Sequence, residues 1–228
     1  MRLLDYIRHV KPDYVADWYH ELICEELERA VKQRSSLLVS APPGSGKTEL
    51  ISILFPSWLI EEDAMTNLIS LSNSDSLARL ASGNILRIVR SEAFREICPI
   101  ELDKETEATF TVTGNNGRPT LHSAGIMGQL TGSRAHVIIA DDLVKNLADA
   151  YSETIRERTW LQFQSCAETR LYPQGIVVSI GTRWHLDDWI GRAIKRAREN
   201  EFARQYTFIN LSATNNGHEA YIERTYER

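Results

Sequence analysis

Cysteine is scarce in this sequence, and the three that occur are scattered. Cys24, Cys98 and Cys166 form no C-x-x-C pair, and an odd number cannot all pair within one chain. A disulfide framework or a structural zinc site is therefore not expected. The pattern favours three small buried apolar side chains in a reducing compartment.

Long apolar runs are also missing. No stretch approaches the ~20 residues that a helix needs to cross a bilayer, and charges interrupt residues 1–14 too often for a signal peptide. We therefore expect no membrane association and a cytosolic location. With 43% hydrophobic and 25% charged residues, the 228-residue chain has globular composition, which excludes a disordered or collagen-like chain.

Positive charge does not dominate either, because the formal net charge is -5. This net charge argues weakly against a protein coated with nucleic acid, although it is compatible with one local basic surface. Residues 192–204 concentrate basic side chains, namely Arg192, Lys195, Arg196, Arg198 and Arg204. A solvated helix face is favoured over a nucleic-acid surface for this segment.

Short apolar runs alternate with amphipathic segments along the chain. The runs predict core strands at 36–40, 67–72, 135–140 and 175–181, and a fifth at 206–211. Helices are predicted up to residue 33 and over 49–62, 72–97, 151–168 and 187–199. In the third of these, Leu77, Leu80, Ile85, Ile88 and Val89 are predicted to share one side, with Ser74 or Asp75 as N-cap, and Pro56 is predicted to kink or end the second.

The turn sequence GNNGRP separates two short strand-like runs, 109–113 and 120–123, and predicts a hairpin. Runs that are apolar throughout suit strands buried on both faces. Together these patterns predict an α/β fold with a mostly parallel central sheet and helices on both faces. The polar sequence from residue 212 predicts a linker or the cut end of a longer chain.

The sequence APPGSGKT follows the first predicted strand and precedes a helix. It fits the phosphate-loop pattern G-x-x-x-x-G-K-[ST], except that Ala41 replaces the first glycine. Backbone N–H groups of such a turn, with the N-terminus of the following helix, form an anion site. Lys47 is predicted to reach the β and γ phosphates of ATP, and Thr48 to offer its hydroxyl to Mg²⁺. The predicted binding loop is Ala41, Pro42, Pro43, Gly44, Ser45, Gly46, Lys47 and Thr48.

Two adjacent carboxylates, Asp141 and Asp142, follow the strand VIIA. In open parallel sheets, ligands collect at the carboxyl ends of the strands. Asp141 is predicted to hold Mg²⁺, directly or through water, and Asp142 to orient and deprotonate the attacking water. The alternative is that Asp142 only caps the next segment.

With these motifs in place, the chain resembles the ATPase domain of the large terminase subunit of tailed bacteriophages. The resemblance runs from about Trp18 to Arg192 and rests on the order of APPGSGKT, NLISLSNSDSLA, GQLTGSRAHVIIADDLVKN and SIGTRWHLDDWIGR. It implies a P-loop NTPase fold of the ASCE division, Mg²⁺-dependent ATP hydrolysis, and translocation of double-stranded DNA into a procapsid.

The resemblance also implies roles for single residues. Thr182 matches the motif that senses the γ-phosphate and couples hydrolysis to motion, or it only satisfies local backbone groups. Arg134 matches the place of an arginine finger that reaches a neighbouring subunit; it is otherwise a surface arginine or a contact within its own chain, and Arg183 competes for the role. His20 lies where related motors read adenine, with a helix-surface histidine as the alternative.

Two departures from the family pattern stand out. Pro43 and Gly44 occupy a region where many members carry a basic residue, so charge neutralisation is expected to rest on Lys47 and an arginine from elsewhere. The family's C-terminal nuclease domain has no counterpart here, so we expect no DNA cleavage. The expected organisation is a helical segment over 1–33, the ATPase domain over 34–211 and a linker over 212–228.

The implied partners are double-stranded DNA, a portal protein, a small terminase subunit and further copies of the chain in a ring, with five as the candidate number. The implied location is the host cell cytoplasm. Alternatives are a helicase-like ATPase, which usually needs two such domains, and a small-molecule kinase or nucleotide switch. The absence of an NKxD sequence argues against a GTP switch.

Overall fold

A nine-stranded sheet forms the centre of the chain in the computed structural model, which describes residues 1–130, 132–211 and 220–226. The strand order is β3-β4-β5-β2-β6-β7-β1-β8-β9. The strands are β1 (Ser36–Ser40), β2 (Leu68–Ser72), β3 (Leu102–Glu105), β4 (Thr109–Val112), β5 (Leu121–Gly125), β6 (Ala135–Asp141), β7 (Leu171–Gly181), β8 (Tyr206–Leu211) and β9 (Ala220–Arg224).

The six central strands, from β5 to β8, are parallel, and the pairings at the two edges are antiparallel. All six parallel strands therefore end at the same edge of the sheet. Strand β7 lies between β1 and β6, so the ends of these three strands are neighbours. The predicted hairpin around GNNGRP is present as β4 and β5.

Alternate residues of the central strands pack into two different cores. Leu37 and Val39 of β1 join a cluster with Leu27, Leu50 and Ile85. Leu38 faces the opposite side, in a second cluster that includes Phe163 and Trp189. Helices thus cover both faces, which confirms the predicted α/β architecture and explains why these strands are apolar throughout.

Eight α-helices surround the sheet in the described residues. They are α1 (Leu3–Val10), α2 (Trp18–Gln33), α3 (Phe55–Glu62), α4 (Asp75–Val89), α5 (Glu92–Ile97), α6 (Leu147–Tyr151), α7 (Glu153–Gln162) and α8 (Trp189–Glu199). None of the helices in these described ranges combines the length and apolar character needed to cross a bilayer.

Several helix predictions need correction. The segment up to residue 33 is two helices, since Pro12 falls between α1 and α2. The single helix predicted over 151–168 is the end of α6, then α7, a π-helical turn (Phe163–Ala167) and the start of a 3₁₀ turn. Ser152 separates α6 from α7 by accepting a hydrogen bond from Ile155 N, an N-cap contact.

Pro56 does not end its helix. A π-helical turn (Glu49–Leu54) continues directly into α3, and Phe55 N donates to Leu50 O, five residues back. The change of hydrogen-bonding register places Pro56 in the first turn of α3, where its missing N–H is tolerated. The prediction of a helix end was wrong because it assumed one unbroken α-helical register.

Helix α4 buries a different stripe from the one predicted. Its buried residues are Ala78, Ala81, Ser82, Ile85 and Val89, while Leu77 and Leu80 are 48% and 62% exposed. Asp75 Oδ1 accepts a hydrogen bond from Gly125 N of β5 at 2.6 Å, which draws the helix start onto the sheet. Small side chains fit this close approach, so the leucines point outward. Ser74 is the N-cap, as predicted.

The polar C-terminal sequence is only partly described. Residues 212–219 and 227–228 of the predicted linker lie outside the described residues, but Ala220–Arg224 pairs antiparallel with β8. A linker is therefore the wrong interpretation for that stretch, which is an edge strand. Of the three cysteines, all free, only Cys24 is buried and the other two are half-buried.

Candidate nucleotide site

The phosphate loop leaves the end of β1 and turns into the following helix. Gly44 and Gly46 have φ angles of +79° and +71°, a backbone that side chains other than glycine rarely adopt. A Cβ on Gly44 would meet no atom within 4 Å, so the loop is open where a ligand would lie. In loops with such alternating backbone conformations, successive N–H groups can line one concavity, which suits phosphate oxygens.

His20 of α2 supports this loop from behind. Its Nδ1 accepts from Asp17 N at 2.9 Å, so the proton lies on Nε2, which donates to Ser45 O at 2.9 Å. A Cβ on Gly46 would lie 3.0 Å from His20 Nε2. Because both ring nitrogens are engaged and the side chain is buried, His20 braces the loop in this conformation, and adenine reading by His20 stays a prediction.

Lys47 is buried and points to the end of β7. Its Nζ lies 3.2 Å from Thr182 Oγ1 and 3.4 Å from Pro42 O. Thr182 Oγ1 in turn donates to Ala41 O at 3.3 Å, and Ala41 N donates to Gly181 O. The end of β7 is thereby fastened to the phosphate loop, as expected for two neighbouring parallel strands.

Asp141 ends β6 and faces Thr48. Thr48 Oγ1 donates to Asp141 Oδ1 at 3.4 Å. Burial raises the pKa of Asp141 to about 6, and the Asp142 carboxylate adds to the rise, while Ser52, Thr48 and Lys47 oppose it. A buried carboxyl that is costly to ionise alone is well placed to bind a cation.

The pair Thr48 and Asp141 suits Mg²⁺ by its chemistry and spacing. Neighbouring ligands of an octahedral ion at about 2.1 Å lie about 3 Å apart, and Mg²⁺ keeps several waters while using few protein oxygens. No group of three or more His, Cys, Asp or Glu side chains arranged for a metal occurs in the described ranges. These residues fit a magnesium ion that is held mainly by water and phosphate.

Asp142 adopts the left-handed backbone conformation, with φ of +42°. Its N–H donates to Ile180 O, and its Oδ1 accepts from Thr182 N at 2.9 Å. Its Oδ2 lies 3.9 Å from Lys47 Nζ. The next helix, α6, is capped by Asn146 rather than Asp142. The capping alternative is therefore excluded, and a strained backbone holds this carboxylate toward the loop.

Asn73 belongs to the site and was not predicted. It follows β2, and its Nδ2 donates to Asp142 O at 3.0 Å. With Thr48, Asp141 and Asp142 it lines a cleft of ≈ 290 Å³ that continues along α4 past Leu77 and Leu80. The signal was available, because Asn73 follows a core strand just as Asp141 does.

Residues 38–220 match the family described as Terminase large subunit, T4likevirus-type, N-terminal. The chain belongs to this family. Over 149 residues it is 32% identical to the terminase large subunit of Enterobacteria phage T3, an alignment that covers 64% of this chain and 25% of that protein.

The fold also matches a solved terminase. The chain matches the crystal structure of the HK97 bacteriophage large terminase with a TM-score of 0.58 at 15% sequence identity. The match covers 88% of this chain and 41% of that one. The chain thus spans a quarter of the T3 protein and about two-fifths of the HK97 protein. This likeness confirms the predicted P-loop fold.

Arg134 and Arg183 are the two candidates for the arginine finger of this terminase domain, and the structure places them at opposite ends of the parallel strands. Arg134 directly precedes β6, at the opposite end of the strand from Asp141, so about 20 Å of extended chain separates it from the site. This distance excludes a contact between Arg134 and the nucleotide site of its own chain, whereas its role toward a neighbouring subunit stays a prediction. Thr131, in the same glycine-rich loop, lies outside the described residues.

Arg183 lies next to Thr182 and is held by contacts within its own chain. Its Nε donates to Asp188 Oδ2 at 2.9 Å, and its Nη2 contacts His185 O and Leu186 O. Asp188 is the N-cap of α8. In this conformation Arg183 therefore fastens α8 to the end of β7 and does not project as a finger.

Proposed function

We propose that this chain is the ATP-hydrolysing motor domain of a DNA-packaging terminase, which drives double-stranded DNA into a procapsid. The observation that carries the proposal is the junction of three strand ends. Lys47 Nζ lies 3.2 Å from Thr182 Oγ1 and 3.9 Å from Asp142 Oδ2, beside the Thr48–Asp141 pair. Membership of the terminase large-subunit family supports a packaging role.

Each residue has a task that follows from its chemistry. The loop N–H groups and Lys47 neutralise the phosphates. Asp142, held by Thr182 N, accepts the proton of the attacking water. Thr182 contacts both Lys47 and Asp142. Loss of the terminal phosphate would therefore change the contacts at the end of β7 and, through it, those of α8, which follows β7.

Magnesium, when bound between Thr48 and Asp141, would neutralise charge on the phosphate oxygens. In the protein, Thr48 contributes a neutral oxygen and Asp141 a negative one. Lys47 lies close to Asp142 in this structure. When ATP binds, the Lys47 ammonium group would move away from that carboxylate and contact the phosphates. The site thus contains Lys47, which would bind the phosphates, and Asp142, which would act as the base for the attacking water.

An adjacent pair of carboxylates favours water as the phosphoryl acceptor, which separates this proposal from a small-molecule kinase or a nucleotide switch. A helicase-like ATPase would share the same phosphate loop and acidic strand, and it is the second candidate. The terminase family match and the relationship with the T3 protein favour packaging over it.

Within the proposal, the partners are double-stranded DNA, a portal protein, a small terminase subunit and further copies of the chain in a ring. Five copies is the number implied by the family resemblance. The setting is the host cell cytoplasm, without a membrane. Ring closure would complete each site from a neighbour, so an isolated chain should hydrolyse ATP slowly.

The test is phosphate release from Mg²⁺-ATP with and without duplex DNA, across a range of salt. We expect slow release that duplex DNA stimulates and that salt suppresses, since contacts to DNA phosphates are salt-sensitive. Lys47→Ala should abolish release, whereas Lys104→Ala, which removes an exposed lysine of the edge strand β3, should retain most of it. Transfer of phosphate to a small acceptor, independent of DNA, would overturn the proposal.

A further inference from the structure

Arginines precede most of the parallel strands, on the edge of the sheet opposite to the nucleotide site. Arg34 lies two residues before β1, and Arg118 lies three residues before β5. Arg134 and Arg170 directly precede β6 and β7, whose first residues, Ala135 and Leu171, are register partners. Because parallel strands start at one edge, these four arginines form a row there, called the arginine edge below.

None of these four arginines forms an ion pair with another described residue. The basic segment 192–204 behaves differently. Arg192, Arg196 and Arg204 are paired with Asp187 and Glu168. The arginines of this basic stretch are thus ion-paired, while the four arginines of the row have no ion pair within the part of the chain that the structure describes, even though the chain carries an excess of acids.

Tyr172 organises two members of the row. Its ring lies 5.2 Å from Arg134 Cζ and 4.6 Å from the ring of His136, and its hydroxyl accepts from Arg118 Nη1 at 3.4 Å. Arg134 Nη2 also donates to Leu171 O. A register shift between β6 and β7 allows the Tyr172 segment to project from the edge. These contacts orient the guanidinium groups without cancelling their charge.

The charges around His136 support this placement. Burial lowers the pKa of His136, Asp63 raises it, and Arg34 and Arg118 lower it again. Arg34 and Arg118 stand at the two ends of the row, and the positive charge of each lowers the pKa of the same His136 ring. His136 Nδ1 accepts from Asn67 N, so the ring is held in place.

The row has the dimensions of a polyanion site. Strands lie about 4.8 Å apart, so the four intervals from β5 to β1 span about 19 Å. That is about half of the ~34 Å turn of a DNA duplex. Guanidinium groups bind phosphate oxygens through paired N–H donors and need no base contact.

We propose that the arginine edge binds the phosphate backbone of duplex DNA, with Arg118 and Arg134 as its principal contacts and Tyr172 as the residue that positions them. This rests on the proposed translocating function and adds the surface that the DNA contacts. The contact is sequence-tolerant, as a translocase requires. The arginine edge lies at the opposite ends of the strands from Asp142, so DNA binding there can be changed by substitution without altering a residue assigned to hydrolysis.

The experiment measures binding of a labelled mixed-sequence DNA duplex to the 228-residue chain, without ATP, at several salt concentrations. Arg118→Gln with Arg134→Gln should weaken binding by at least about tenfold at low salt and lower the slope of log K against log salt by about 2. Arg118→Lys with Arg134→Lys should restore most of the binding. Tyr172→Leu should weaken binding while leaving the net charge unchanged.

The matched control is Arg95→Gln with Arg158→Gln, which removes the same charge from exposed arginines, unpaired among the described residues, on α5 and α7. It should bind DNA within about twofold of the parent chain. Equal loss in both double variants, or no loss in the edge variant, would overturn the proposal, as would a parent chain that ignores the duplex at low salt. Thermal unfolding of every variant separates lost binding from lost folding.

ATP hydrolysis without DNA is measured on the same proteins. If hydrolysis fails in the parent chain but duplex binding follows the arginine edge, the proposed enzyme is wrong and this surface stands. If Arg134→Ala binds DNA normally, and mixing it with Lys47→Ala restores hydrolysis that neither shows alone, then Arg134 serves a neighbour's nucleotide and the proposal fails.

Discussion

Asp142 combines a left-handed backbone with a carboxylate, and two substitutions separate these properties. Asparagine tolerates positive φ and keeps an acceptor for Thr182 N, so Asp142→Asn should fold with unchanged stability and still bind ATP. Without the carboxylate, we expect phosphate release to fall by about 100-fold or more. Hydrolysis by Asp142→Asn at the parent rate would remove Asp142 from catalysis.

Asp142→Ala should lose about 1 kcal/mol of stability in addition, because alanine is strained at this φ. Chemical denaturation of the two variants side by side measures this difference. Equal stability of the alanine and asparagine variants would show that the backbone conformation is not the reason for an Asp at this position.

Asp141 makes the stability of the metal-free chain depend on pH. Its pKa of about 6 in the folded protein exceeds the unfolded value, so the folded state favours the protonated carboxyl. The stability that this provides is full below about pH 4 and is lost as the pH rises through about 6. In buffer with a chelator, Asp141→Asn should be about 1–3 kcal/mol more stable than the parent at pH 8.

At about pH 3 the two proteins should unfold alike, because Asp141 is then mostly protonated in both the folded and the unfolded state. Urea denaturation at the two pH values gives the comparison. A constant difference between the proteins at both pH values would show that burial does not raise the pKa of this carboxyl.

Helix α2 contributes to the site through a single side chain, His20, which braces the phosphate loop. Because Nε2 donates to Ser45 O and so supports the loop backbone, His20→Ala should raise the KM for ATP and for GTP by the same factor, about tenfold. If His20 instead reads adenine, the variant would lose affinity for ATP and keep its affinity for GTP. Steady-state phosphate release with both nucleotides decides between these outcomes.

Strand β2 reaches the site through Asn73, whose amide holds the Asp142 carbonyl. Asn73→Ala should keep ATP binding and lower the hydrolysis rate about tenfold, because the left-handed conformation of Asp142 loses an external support. Asn84→Ala, which alters another amide in the same cleft, serves as the control and should change the rate little. A large rise in KM with an unchanged rate would instead place Asn73 in nucleotide binding.

The whole molecule shows why part of the site could be read from sequence. Parallel strands end at one edge, so APPGSGKT, Asp141-Asp142 and Thr182, each following an apolar run, had to meet. The same rule extends to Asn73, which was missed because an amide carries no motif. His20 and Arg134 were assigned from family position alone, and that position does not reveal where a side chain points.

Other features depended on contacts that no local pattern records. The π-helical turn before Pro56 changes register without a residue that marks it, and β9 forms because its polar sequence has a neighbouring edge strand to pair with. Leu77 and Leu80 fit an apolar stripe, yet the close approach of α4 to Gly125 turns them outward. The arginine edge is dispersed over four places in the chain and becomes visible only when the sheet aligns them.

The most direct test of the account is the fate of an oxygen atom from isotopically labelled water. The chain is incubated with Mg²⁺ and ATP, and the released phosphate is analysed by mass spectrometry beside Asp142→Asn and Lys47→Ala. We expect one labelled oxygen per phosphate from the parent chain and little product from either variant. Phosphate release that is unaffected by both substitutions, or none from the folded parent chain with duplex DNA present, would contradict it.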